Sequence, residues 1–173
     1  MPNKRENMRI ANQIQRSLLR FVMGNGDIVI PNYYHGMYEM DVFRLTRAEY
    51  IYEYEIKISR SDFFVDFKKD NGRKHDKIKT GKGPNRFFFV VPTGLISIEE
   101  CPKHAGLIYA DVSPADEFSR ASCYLRIVKP SPILTRVKQR ISYRSIAVNQ
   151  MSRLMSAKSI IRELKETINK KLN

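Results

Sequence analysis

The sequence has no tryptophan, only two cysteines, and no apolar run approaching the roughly 18–20 residues needed to cross a bilayer. The last absence argues against a membrane-spanning helix. Residues 1–13, MPNKRENMRIANQ, lack the apolar centre of a signal peptide, so a cytoplasmic protein is expected. Cys101 and Cys123 show no metal-ligand spacing and read as reduced thiols, neither a disulfide framework nor a zinc site. The chain also lacks a Walker-type glycine loop, a dinucleotide fingerprint and a zinc-finger pattern. No Ser/His/Asp arrangement can be argued. Internal repeats and low-complexity tracts are absent too.

What is present suits one globular domain with an appended helical segment. The chain has 173 residues, 42% of them hydrophobic and 10% aromatic, enough to bury a core. The net charge is +13, and it is unevenly spread. Arg120 to Asn173 holds 13 Lys and Arg against two acids, Glu163 and Glu166. Residues 1–119 are therefore nearly balanced. Such asymmetry points to a polyanion partner, with a solvated basic helix surface as the alternative.

Hydrophobic periodicity gives the element order. Residues 5–23 carry an apolar stripe (Met8, Ile10, Ala11, Ile14, Leu18, Leu19, Val22) and end at Gly24-Asn25-Gly26, so a helix is expected. Asp27–Tyr34 and Met37–Leu45 read as strands around a His35-Gly36 turn, and Pro31 restricts the first of them to an edge or a bulged position. In the second, Tyr38, Met40 and Val42 are expected to face one way and Glu39, Asp41 and Phe43 the other. Tyr50–Ser59 reads as a third strand, which makes an antiparallel meander. A short helix capped near Ser59–Asp62 and running to about Lys69 follows, with Phe63, Phe64 and Phe67 as anchors. Asp70–Asn85 reads as a basic, glycine-containing mobile loop with a helical start. Arg86–Val91, RFFFVV, reads as a strand buried on both faces. A turn or short helix at Leu95–Glu100 leads to strands at Gly106–Asp111 and Ala121–Val128, the latter with part of a helix as the alternative. After the Lys129–Pro132 break, Ile133–Asn173 reads as helix.

The chemistry concentrates in the third strand. Alternation places Ile51, Glu53, Glu55 and Lys57 on one face, and Tyr50, Tyr52, Tyr54, Ile56 and Ile58 on the other. Two carboxylates and an ammonium in a row suit a wet face or one that holds a metal. A hairpin about residues 46–49 brings Asp41 opposite residues near 54–56, beside Glu55. A divalent cation removes the repulsion between two such carboxylates, and oxygen ligands favour Mg²⁺ or Mn²⁺. The Ile56 carbonyl is a candidate third ligand. Lys57, one repeat further on, is placed to orient or deprotonate a water or to offset charge on a phosphate.

The pattern Asp41…Glu55-Ile56-Lys57, with a helix before it and a helix plus RFFFVV after it, resembles the PD-(D/E)XK nuclease superfamily. The run YEYEIKISRSDFFVD, with the Pro102–Asp111 segment, resembles more narrowly the MmcB-like DNA-repair nuclease group and its phage-borne relatives. The resemblance covers about residues 5–128. It departs from the superfamily pattern at Met40, where proline commonly precedes the aspartate. It implies an α/β fold, a restriction-endonuclease-like core with a mixed central sheet flanked by helices. The core would span residues 1–128, and a basic helical C-terminal segment would span 129–173.

The implied activity is metal-dependent hydrolysis of DNA phosphodiesters, with Asp41, Glu55 and Lys57 as catalytic residues. Gln13 is the candidate contribution of the first helix, with Glu6 behind it, and Glu53 is an outer ligand or a rim residue. Asp62 reads as a helix cap. His75 and His104 read as exposed loop histidines, and His35 as a turn residue near the site. Arg60, Arg73, Lys74, Lys77, Lys79, Lys82 and Arg86 are candidate contacts to the phosphate backbone. Partners are therefore DNA, no membrane, and a second copy of the chain through the C-terminal helix. Two rivals stand beside this reading: a non-catalytic nucleic-acid-binding module, and an assembly protein that dimerises through that helix.

Overall fold

Ile14, Leu18 and Val22, spaced one helical turn apart, give α1 (Lys4–Val22) a buried stripe, flanked by half-buried Ile10 and Leu19. The computed structural model describes residues 4–35, 38–68, 73–113, 122–139 and 141–172. After α1, strands β1 (Ile28–His35), β2 (Tyr38–Leu45) and β3 (Ile51–Ile56) form an antiparallel meander. Helices α2 (Arg60–Asp66) and α3 (Arg73–Lys79) carry the chain over to β4 (Arg86–Pro92), which runs parallel to β3. Parallel neighbours need such a crossover, since a tight turn cannot reverse the chain twice. β5 (Gly106–Ser113) is parallel to β4, and β6 (Ser122–Lys129) is antiparallel to β5. The fold is α/β: a six-stranded mixed sheet in the order β1-β2-β3-β4-β5-β6 with helices on both faces, and a C-terminal helix, α4 (Tyr143–Leu172). Pro31 lies on edge strand β1, where its missing N–H is tolerated.

β4 divides the core. Phe88 and Val90 join Ile14, Leu18, Val22, Val42, Tyr54 and Ile108 under α1. Phe87, Phe89 and Val91 face the other way and pack with Phe63 of α2, Ile78 of α3, and Ile96 and Leu107. Burial on both sides favours apolar residues, which is why Phe87 to Val91 is an unbroken apolar run.

Several boundaries differ from the sequence reading. Residues 73–79 form a helix, because His75 and Ile78 share one side and both are buried. Residues 133–139 are not helical; Leu134 N donates to Asn85 O, and Asn85 Nδ2 donates to the carbonyls of Thr135 and Val137. The chain divides into two compact units, Met1–Gln139 and Arg140–Asn173. Strict alternation fails in β2: Val42 packs under α1, while the Tyr38 hydroxyl reaches Glu53 on the opposite face. The change of face coincides with a left-handed φ of 49° at Asn32 on β1, where the β1–β2 ladder keeps its register but leaves Asn32 and Asp41 unpaired as strand partners. Gly36, Met37, residues 69–72 and Ala121, which belong to an expected turn, strands, helix and loop, lie outside the described residues. Among the described residues no helix is long and apolar enough to cross a membrane.

Phe89 is fully buried and stacks edge-on against Phe63 and Phe87 at 4.9 and 5.0 Å. Phe89→Ala is expected to cost about 3–5 kcal/mol of stability, read as a shift in the urea midpoint by circular dichroism. A loss below about 1 kcal/mol would contradict this account of the core.

Candidate active site

The β2–β3 register pairs Val42 with Tyr54 and Phe43 with Glu53, so the next step along the ladder sets Asp41 beside Glu55. Beyond Val42 the strands part, and Asp41 Oδ2 accepts a 2.7 Å hydrogen bond from the Ile56 amide. Ile56 thus offers its backbone to the site while its side chain packs toward α1. Lys57 follows directly, and its amide bonds to Val90 O of β4. Asp41, Glu55 and Lys57 therefore meet at one end of the β2–β3 pair.

The face they share is buried, not wet. Glu53 is 0% exposed, Glu55 8% and Lys57 2%. The covering elements supply the compensating charges. Lys57 Nζ donates to Glu55 Oε1 at 2.7 Å and to Asp66 Oδ1 of α2 at 2.9 Å. Lys74 Nζ of α3 lies 2.7 Å from Glu55 Oε2 and 2.9 Å from Glu53 Oε1. The Tyr38 hydroxyl donates to Glu53 Oε2 at 2.9 Å. The second Asp66 oxygen accepts from His75 Nε2 at 2.8 Å, and His75 Nδ1 lies 3.0 Å from His104 Nε2. A carboxylate only accepts, so His75 Nε2 carries its proton.

Four carboxylates (Asp41, Glu53, Glu55, Asp66) face two ammoniums (Lys57, Lys74), so the cluster is short of positive charge. Burial, and then the charge of Glu55, raises the Asp41 carboxyl to about 7. Burial likewise raises Glu53. Burial alone would lower both lysines, but the facing glutamates, and for Lys57 also Asp66, outweigh it and hold them above their ordinary value. Burial opposes ionisation of Asp66, yet His75 and Lys57 keep it well below the usual carboxylate range. Burial and the neighbouring His75 push His104 down to about 4.

Other expected site residues lie elsewhere. Gln13 does not join the carboxylates: its amide donates to Ser113 O and Ser122 O at the β5–β6 end. The α1 residue that reaches Asp41 is Gln15, which donates to the Asp41 carbonyl at 3.0 Å and to Asn32 Oδ1 at 2.8 Å. Glu6 pairs with Arg9. Lys74 is turned inward and is not a surface phosphate contact. Arg60 is committed to Glu100 and to Leu95 O, and Arg86 donates to Ser131 O. Arg73 and Lys82 are exposed, and so is Lys79, which lies 3.6 Å from Asp76. Lys77 and Lys82 line a cavity of about 320 Å³ with Tyr38, Met40 and Gly83. His75 is buried on α3 and His104 is half-buried, so neither is a solvated loop histidine. Ser59, not Asp62, caps α2, accepting from Asp62 N. The sequence reading missed Tyr38, Asp66, Lys74 and His75 as members of the cluster. The periodicity of Phe63, Asp66 and Phe67 on α2 was the available signal for one of them.

Two hard carboxylates and a nearby backbone suit Mg²⁺ or Mn²⁺. Asp41 Oδ1 has no hydrogen-bond partner among the described residues, which leaves one ligand position open. Both Glu55 oxygens accept from lysines, so a cation would take Glu55 in exchange for one lysine contact. No group of three or more His, Cys, Asp and Glu side chains arranged to hold a metal occurs among the described residues.

The raised Asp41 value has a definite sign. The native state keeps a proton that the unfolded chain releases above the ordinary 3.8, so the associated stability is complete at low pH and lost as pH rises through about 7. Asp41→Asn keeps an acceptor for the Ile56 amide and cannot titrate. Its stability relative to the parent should rise from about pH 4 to about pH 7 and level off above, in urea titrations across that range without divalent cations. A difference that does not change with pH would refute the raised value.

No family model matches this chain, and no curated protein does. Among solved structures, that of a protein of unknown function from Silicibacter pomeroyi is similar, with a TM-score of 0.54 over 86% of this chain and 90% of that one. The two are 20% identical in sequence, so the likeness concerns the fold alone.

Proposed function

We propose that this protein is a metal-dependent nuclease that hydrolyses DNA phosphodiester bonds. The observation that carries the reading is the charge-deficient cluster: Asp41 and Glu55 sit together with too few ammoniums around them, and one Asp41 oxygen is uncommitted among the described residues. Asp41 and Glu55 would hold Mg²⁺ or Mn²⁺. When bound, the cation polarises a phosphoryl oxygen and acidifies a water. Lys57, kept cationic by Glu55 and Asp66, offsets negative charge that develops on the phosphate. Its protonation argues for this role over that of a base. Arg73, Lys77, Lys79 and Lys82 neutralise the backbone on the α3 side, and the C-terminal segment is a separate basic stretch that also suits phosphates. A cytoplasmic setting goes with this reading. So does a homodimer through α4, whose Leu154, Ile161 and Leu164 share one exposed side.

One observation favours a second reading, a non-catalytic nucleic-acid-binding module on the same scaffold. Both Glu55 oxygens are already matched by lysines, a closed arrangement that needs no cation.

Labelled single-stranded, duplex and branched DNA, incubated with and without Mn²⁺ and followed for both binding and cleavage, separates the two. The nuclease reading expects Mn²⁺-dependent products, reduced about 100-fold or more by Asp41→Asn, Glu55→Gln or Lys57→Met in folded protein. Salt-steep binding without products would assign the protein to the second reading.

A further inference from the structure

We propose that Asp66, braced by His75, is a positioning residue that aims the Lys57 ammonium at the reacting phosphate. This rests on the nuclease reading. An ammonium has three N–H donors. Glu55 Oε1 and Asp66 Oδ1 take two of those on Lys57, and no described residue accepts the third. Two fixed bonds at a tetrahedral nitrogen fix the direction of the third. Lysine has a flexible four-carbon stem, so that direction depends on its partners. Glu55 is an unreliable partner, because it also serves the cation. The bonds of Asp66 to Lys57 and His75 do not involve either proposed metal ligand, so they do not compete with the cation.

Asp66 is itself immobilised. It is buried at the end of α2, with one oxygen on Lys57 and the other on His75 Nε2–H. The His75 ring is packed against Phe67 at 4.6 Å, with Phe87 and Phe89 at 5.7 and 5.9 Å, and its far nitrogen meets His104. Satisfying the charge of Lys57 needs only a carboxylate. Fixing the plane of that carboxylate needs the second donor, in a ring that cannot turn. The chain Lys57–Asp66–His75–His104 thus joins α2 and α3 to the end of β3 through side chains.

The test uses the full-length protein and two readouts. The first is the ¹H–¹⁵N signal of the Lys57 ammonium, assigned by its loss in Lys57→Arg. A buried, doubly bonded ammonium exchanges slowly and gives a resolved peak. That peak should vanish in Asp66→Ala and broaden in His75→Phe, a variant that keeps an aromatic ring in the cluster and leaves Lys57 untouched. The second is Mn²⁺-dependent DNA cleavage. Both variants should lower kcat, Asp66→Ala by about 10–100-fold, with KM within about twofold, as for groups that orient a reacting residue. Asp66→Asn, which keeps an acceptor, should retain more kcat than Asp66→Ala. Folded His75→Phe and Asp66→Asn with parental kcat and an unchanged peak would overturn the proposal. If the parent cuts no DNA, the nuclease reading fails and with it the catalytic part of this proposal, while the peak alone still decides whether Asp66 fixes the ammonium.

Discussion

The structure turns on charge neutralisation beneath α2 and α3. β3 and the residue after it present Glu53, Glu55 and Lys57 to a face that is otherwise a phenylalanine-rich core. Ions leave water at a cost of several kcal/mol each, so this face can close only if partners arrive with the helices that cover it. α3 brings Lys74 and α2 brings Asp66. Once both are docked, losing either partner strands an opposite charge in a nearly dry environment. The crossover between β3 and β4 is therefore tied to the sheet by ion pairs as well as by Phe63 and Ile78.

The opposite face is held differently. There α1 lays Ile14, Leu18 and Val22 on Val42, Tyr54, Phe88 and Val90, with no comparable ionic cluster among the described residues. The two faces divide the labour: one is a conventional apolar layer, and the other mixes aromatic rings with charge. Burying charge where apolar residues would pack equally well is seldom a route to stability. Its retention beside Asp41 is physically reasonable where the charges meet something in solution, which is the basis of the functional proposal.

The sequence by itself determined the antiparallel meander of the first three strands, the two-sided burial of the Phe87–Val91 run and the approach of Asp41 to Glu55. Each follows from periodicity or hairpin geometry over a short span of chain, where local sterics and alternation leave little freedom. Only the tertiary structure decided that the charged face of β3 is covered, that Lys74 and His75 turn inward, that Gln15 rather than Gln13 reaches Asp41, and that residues 133–139 run non-helically beside Asn85. These outcomes depend on how far apart segments dock and on which side of a short helix faces the sheet. A basic stretch such as residues 73–82 reads the same whether its lysines meet phosphates in water or glutamates in a core, because composition records charge but not the partner that folding supplies.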